Sequence, residues 1–409
     1  MIINRNKSIL LLSIFLFVLF SCDEQANNNT DNKQTSSSTD FKEGSDYLLF
    51  ERVRTFDKVG FSEPQEAYSL LLPKGWQHQS EVIWNAPGTL CAGTTKSLKA
   101  TSADGKYSLQ MYPDVIYVWG TNQQLMQFNQ NNNTTTSTCS YRKPINAENY
   151  LRSIFAPEEL GNPEIVSVTP NNLVTQQMAQ MNAASTAELQ QYGAGDVNFD
   201  QSAINAVVKW TDGTEGQVVL GVTIIETVIP NVYNGSYEKG YTTHVTKRTV
   251  YKYPGKESEQ AKNQFSLIMG SYRSNPAWNN AVNNFWKAVR QRKHVEHIGK
   301  IRMMDEQTRR IGEQAIAKGN ARLSEMDNQM RNWEATQSSQ DRMHTNFIKT
   351  IREVETYKDE SGSYELSSGY SHAWSRGDGN NFVLSNNSNF DPAFIFKDQN
   401  WKEMKRTDN

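Results

Sequence analysis

The sequence predicts an α+β fold: an antiparallel sheet backed by helices, followed by a long helix or helical hairpin and a small C-terminal β-meander. Three observations predict it. Between about 46 and 254, short apolar runs alternate with Gly-, Asn- and Asp-rich turns, the pattern of half-buried strands. From 258 to 272, Ala261, Phe265, Ile268 and Met269 gather on one side of a helix able to cover such a sheet. From 275 to 356 the only glycines are Gly299, Gly312 and Gly319, and the apolar spacing is helical.

The N-terminus carries a short cationic region, Arg5 and Lys7, and then an apolar run from Ser8 to Phe20 with no acidic residue. That is the layout of a secretory signal over 1–21. The run falls short of the roughly twenty residues a spanning helix needs. It ends Leu19-Phe20-Ser21-Cys22, which resembles the lipobox of bacterial lipoproteins. The resemblance implies that Cys22 is lipid-modified and becomes the mature N-terminus; the alternative is an ordinary secretory signal with a chance cysteine. Acyl chains bury about 0.8 kcal/mol per methylene, so two or three of them hold a protein at its membrane. Asp23 and Glu24 follow the cysteine. In lipoproteins such residues act as sorting signals, and the expected address is the cell envelope, at the outer membrane or cell surface rather than the inner membrane.

The net charge of −2 gives no footprint for nucleic acid. With 37% hydrophobic and 11% aromatic residues the body can bury a core. Beyond Cys22, two cysteines remain, Cys91 and Cys139. In an oxidising compartment an even pair is expected to form a disulfide, the alternative being two free buried thiols. Residues 22–45 are dominated by Asn, Thr, Ser and charge, with no apolar periodicity, and read as a flexible tether. Folded structure is expected from about Tyr47, in an α+β domain over 46–274.

Strands are expected over 67–72, 80–84, 98–102, 107–111 and 115–119, with Asp104-Gly105 as a hairpin turn. The polar stretch 121–140 reads as an exposed loop pinned at Cys139. Helices follow at about 147–155 and 173–192, the second with Leu173, Met178, Met181 and Leu189 at roughly helical spacing. Further strands are expected over 203–210, 217–227 and 240–253. Thr243, Val245, Lys247, Thr249, Tyr251 and Tyr253 alternate there with more polar neighbours, which predicts one wet face. AYSLLLPKGW near the start and NQFSLIMGSYR near the end of this region resemble the opening strand and closing helix of the extrinsic-protein fold of photosystem II and its bacterial relatives. That likeness implies an antiparallel sheet backed by helices and carries no activity.

The segment 275–352 begins with Pro276, at home in a first helical turn. Ala281, Val282, Phe285, Trp286 and Val289 form a helical stripe. Leu323, Met326, Met330 and Trp333 have the rhythm of a coiled-coil seam, which requires a partner: the same chain folded back, or a second protein. Lys287, Arg290 and Lys293 belong to a basic stretch. It reads as a solvated face, or as a surface for an acidic partner or anionic headgroups.

The C-terminal module, 353–409, is expected as three or four short strands. The run GSYELSSGYSHAWSRGDGNNFVLSNNSNFDP, with Trp401, resembles a tail module at the ends of secreted bacterial proteins and imports no chemistry. Tyr370, His372, Trp374 and Trp401 are candidates for a ligand groove, since aromatic rings stack on sugars and extended chains; the alternative is the core of a small sheet. Arg376-Gly377-Asp378 matches an adhesive tripeptide but also suits a hairpin turn.

Of the six histidines, His294 and His297 are spaced three apart around Glu296, which fits neither H-E-x-x-H nor H-x-x-E-H. Nucleophile elbows, phosphate loops and dinucleotide fingerprints are absent from the sequence. No catalytic residue, metal or cofactor is therefore assigned. The resulting expectation is a membrane-anchored envelope lipoprotein that binds another molecule without catalysis and offers its helical arm to a protein partner. The alternatives are a hydrolase of envelope or extracellular polymers, with carboxylates or His372 as acid and base, and a structural spacer.

Overall fold

A computed structural model describes residues 41–87, 91–124, 126–127, 139–180, 182–191, 195–230, 236–291, 354–367 and 369–407. The signal segment, Cys22, most of the tether, Lys293, Met326, Met330 and Trp333 lie outside the described residues, as does the expected helical arm beyond residue 291. The fold is α+β. No helix among the described residues is long and apolar enough to cross a membrane.

The first eleven strands are β1 (Tyr47–Asp57), β2 (Gln65–Pro73), β3 (Gln77–Asn85), β4 (Gly93–Thr101), β5 (Ser108–Met111), β6 (Val115–Gly120), β7 (Cys139–Tyr141), β8 (Glu164–Pro170), β9 (Val197–Lys209), β10 (Thr214–Pro230) and β11 (Tyr237–Pro254). β12 (Arg273–Ser274) follows. The C-terminal segment supplies β13 (Val354–Asp359), β14 (Gly362–Ser367), β15 (His372–Ser375), β16 (Asn381–Ser385), β17 (Lys402–Glu403) and β18 (Lys405–Thr407).

Nine strands form one sheet, in the order β3-β4-β5-β11-β10-β9-β8, with β6 on β11 and the short β7 parallel to β6. Six form a second sheet, β12-β2-β1-β16-β15-β17. The third sheet is β14-β13-β18.

One face of the nine-stranded sheet is covered by α1 (Ala147–Tyr150), which continues with π-helical geometry over Leu151–Glu159. Tyr150, Leu151 and Phe155 bury themselves there against Ile204, Val208, Leu220 and Val245. The opposite face carries the larger core. Tyr251 and Tyr253 meet Phe265 and Ile268 of α4 (Ser258–Gly270), and Phe50, Leu70 and Leu71 of the second sheet join them. The amphipathic stripe read for 258–272 is this buried face of α4.

Four sequence expectations differ from the structure. The stretch 173–192 forms two helices, α2 (Asn172–Ala179) and α3 (Asn182–Gln191), instead of one. The buried face of α2 is Val174 and Met178, while Leu173 points outward. Asn171 starts it by accepting the Val174 N–H. Second, the C-terminal segment is not a meander of its own. β16 pairs with β1 from Tyr47↔Ser385 to Glu51↔Asn381, so the C-terminal segment shares a sheet with the start of the body, and the described residues of 41–409 belong to one compact unit. Third, the body begins before Tyr47, since Phe41 meets Phe390 edge-on at 5.3 Å.

Fourth, the alternation along β11 does not run unbroken. The register against β10 shifts between Val219 and Gly221, which face Thr249 and Thr246, so β11 carries one extra residue. A one-residue shift exchanges the two faces of a strand. Val245 accordingly belongs to the α1 side, while Tyr251 and Tyr253, of the same parity, belong to the other core.

Candidate functional site

Beside that bulge, the second face of the nine-stranded sheet opens into a cavity of about 440 Å³, within the size range of small-molecule sites. Its floor is Thr223 and Ile225 of β10 with His244 and Thr246 of β11. Further along the same face the sheet carries large rings, Tyr251 and Tyr253; here it carries Thr and His, and a space remains. Met178, Asn182 and Ser185 of α2 and α3 form one wall. The other is α5 (Pro276–Gln291), which contributes Trp278, Asn279, Val282 and Trp286.

The wall on α5 is fixed by its indoles. Asn275 accepts the Ala277 N–H at 3.0 Å and so starts the helix, with Pro276 in the first turn. Trp278 donates to the buried Asp57 at 2.9 Å, and Trp286 donates to Thr94 Oγ1 at 2.7 Å. Trp286 also stacks on Trp84 with centroids 5.8 Å apart. Both indole N–H groups are thus spent on positioning, and the rings are held in place for whatever lies beside them.

The charged groups come from two strands and a connection. Lys96 of β4 donates to the Tyr272 hydroxyl at 3.0 Å, and its ammonium stands 5.2 Å from the Trp278 ring centroid. Asp114, between β5 and β6, is surrounded by the body yet keeps exposed surface where it lines the cavity. Burial pushes its pKa up, against the opposing fields of Lys247, Lys96 and Arg248. Its carboxylate also accepts the backbone N–H of Lys247. Lys247 has φ 57°, the left-handed region that suits glycine and strains other residues. This lysine is the extra residue of the bulge, and Asp114 holds it in that conformation.

Arg248, next in the chain, turns its guanidinium to the Phe155 ring, 4.9 Å from the centroid, where it pairs with Glu159 and donates to the Pro113 carbonyl at 2.7 Å. His244 lies deep in the body yet keeps accessible surface, which it presents to the cavity. Burial lowers its pKa, so the imidazole is neutral near pH 7, with one donor and one acceptor nitrogen. It makes no hydrogen bond to a described residue.

Chemically, this arrangement suits binding. Asp114 is the one carboxylate among the lining residues, whereas glycoside hydrolysis ordinarily needs two across the scissile bond. Among the described residues, no three His, Cys, Asp or Glu side chains converge to hold a metal ion.

The residues singled out from sequence fall elsewhere. Trp374 and Trp401 are buried in one small cluster with Val383 and Phe390. His372 stacks on Trp374 at 5.6 Å and meets Glu403 at 2.9 Å on the surface. Tyr370 packs against the larger core instead. In the tripeptide, Arg376 pairs with Asp398, and Asp378 holds the turn by accepting the N–H groups of Asn380 and Asn381, so both charges have structural partners. Lys287 is exposed on α5, and Arg290 lies in the helix's last turn. Cys91 is buried, its sulfur 3.8 Å from the Ile116 carbonyl.

Sequence reasoning missed the cavity residues His244, Lys247, Asp114 and Lys96. It did place Val282 and Trp286 on a buried stripe. Neither a protein-family model nor a curated protein nor a solved structure matches the chain.

Proposed function

We propose that this chain is an envelope lipoprotein, anchored through acyl groups on Cys22, whose folded body binds a small molecule in the cavity between α5 and the nine-stranded sheet. The observation that carries the binding role is the strained Lys247 at the cavity floor. A left-handed non-glycine residue costs about 1–2 kcal/mol, and such strain clusters where function needs a particular placement. The α5 wall supports the same reading, since its indole N–H groups are already bonded to Asp57 and Thr94 and hold the rings in place. The lipobox motif Leu19-Phe20-Ser21-Cys22 supports the anchor, and the expected address is the outer membrane or cell surface.

In this reading Cys91 and Cys139 form a disulfide. The support is local: Cys91 Sγ sits against Ile116, and Cys139 is the register partner of Ile116 in the β6–β7 pair. The helical arm of residues 275–352, with Lys287, Arg290, Lys293, Met326, Met330 and Trp333, is the proposed contact for a protein partner.

The test is native mass spectrometry of the mature protein after incubation with envelope extract. The reading expects a bound small molecule that is lost when Val282 and Thr223 are both replaced by Trp to fill the cavity. Retention of the ligand by that folded variant would reject the cavity as the site.

A further inference from the structure

The charges around the cavity narrow the ligand. Lys96 and Lys247 line it against the single carboxylate of Asp114. Arg248 also borders it but turns its guanidinium to Phe155 and pairs with Glu159, so the balance at the cavity is two cations to one carboxylate. Interactions between charges strengthen as the surroundings become less polar, so this imbalance favours a negatively charged occupant. Glycine would adopt the conformation of residue 247 without strain. The chain has a lysine there, and the bulge that carries it is held by Asp114. His244 adds a side chain that faces the cavity and makes no hydrogen bond to a described residue. Beside these polar groups, Val282 and Trp286 offer an apolar wall.

We infer that the cavity takes a small organic anion whose carboxylate or phosphate oxygens meet Lys247 and the imidazole N–H of His244, and whose apolar part lies along Val282 and Trp286. The inference rests on the reading of this cavity as the binding site, and the test separates the two. The neutral imidazole donates to the anion, and the ammonium supplies a charge-assisted hydrogen bond. Both ligand halves are needed, since an inorganic anion leaves the apolar wall uncovered and a hydrocarbon makes no use of the excess positive charge.

The experiment is ligand-observed NMR titration of the full mature chain with matched fragments: phenylacetate against phenylacetamide, benzyl phosphate against benzyl alcohol, and phenethylammonium as the cation. The acids are expected to bind at least about tenfold tighter than their neutral counterparts, the equivalent of one charge-assisted hydrogen bond. Lys247→Gly, which suits the local backbone, should remove that preference. The phosphate and carboxylate arms identify which acid is preferred. Equal binding of acids and neutral fragments, or tighter binding of the ammonium, overturns the anion and leaves the cavity standing as a site. Failure of every fragment, whatever its charge, overturns both.

Discussion

The carboxylate of Asp57 accepts the indole N–H of Trp278 at 2.9 Å, joining the end of β1 to the first turns of α5 across 221 residues of sequence. The same oxygen accepts the Trp84 indole at 2.8 Å, and the other accepts the backbone N–H groups of Val59 and Gly60. Gly60 is confined to glycine by contact, because a Cβ there would stand 2.3 Å from the Trp84 ring. This buried carboxylate therefore sets where the cavity wall stands. Asp57→Ala leaves four donors without an acceptor and is expected to cost about 3 kcal/mol or more. Trp278→Phe removes one donor, and its hydrogen-bond loss is about 1–2 kcal/mol. Urea unfolding of both variants and of the double variant checks this. The two changes should combine non-additively, because they remove one shared bond.

Residue 247 supplies a second prediction. Since its backbone is left-handed, Lys247→Gly should raise stability by up to about 1 kcal/mol, and Lys247→Val should lower it by about 1 kcal/mol or more. Thermal unfolding that ranks the three as Gly, Lys, Val from most to least stable supports the strain. The reverse order contradicts it.

The pKa of His244 is lowered by burial. A histidine that resists protonation when folded gives stability that is present above the unfolded pKa of about 6.5 and is lost as pH falls through the folded value. Lys247, Lys96, Arg248 and Asp114 line the same cavity. Asp114 works oppositely and at lower pH. Its raised pKa favours the folded state as pH falls from the folded value towards about 3.8. Wild type should therefore lose stability below about pH 6.5 relative to His244→Gln, and the curves should run parallel above pH 7. Parallel curves throughout would mean that the imidazole is solvated.

Much of the fold was legible in the sequence, because local pattern suffices where an element buries one face. The Asp104-Gly105 hairpin, with Gly105 at φ 72°, and the stripes of α4 and α5 are of this kind. What could not be read depends on distant partners. β1 alternates in burial from Val53 to Asp57, but two of its buried positions are the polar Thr55 and Asp57, and its pairing with β16 joins segments more than 300 residues apart. The bulge was hidden because its left-handed residue is a lysine, so no glycine marked the break. The cavity draws on segments from Lys96 to Trp286, and none of its polar residues stands in a recognisable motif. The aromatic residues of the tail were conspicuous by composition, but Trp374 and Trp401 occupy a small core.

The cysteine pair gives a further prediction. Alkylation of the native mature protein should label neither Cys91 nor Cys139, and peptide mapping should recover them linked. Reduction is expected to lower stability by about 3–4 kcal/mol on the loop-entropy account. Two alkylated thiols in unreduced protein would remove the disulfide from the reading.

Hydrogen exchange measured by mass spectrometry on the mature protein, with and without saturating phenylacetate or benzyl phosphate, tests the central claim most directly. Binding in the cavity predicts slower exchange in Pro276–Gln291 and around residues 242–249, with α1 and the β15–β16 hairpin unchanged. Protection confined to the β15–β16 hairpin and Trp401, with α5 unaltered, would contradict the claim and move the site to the tail.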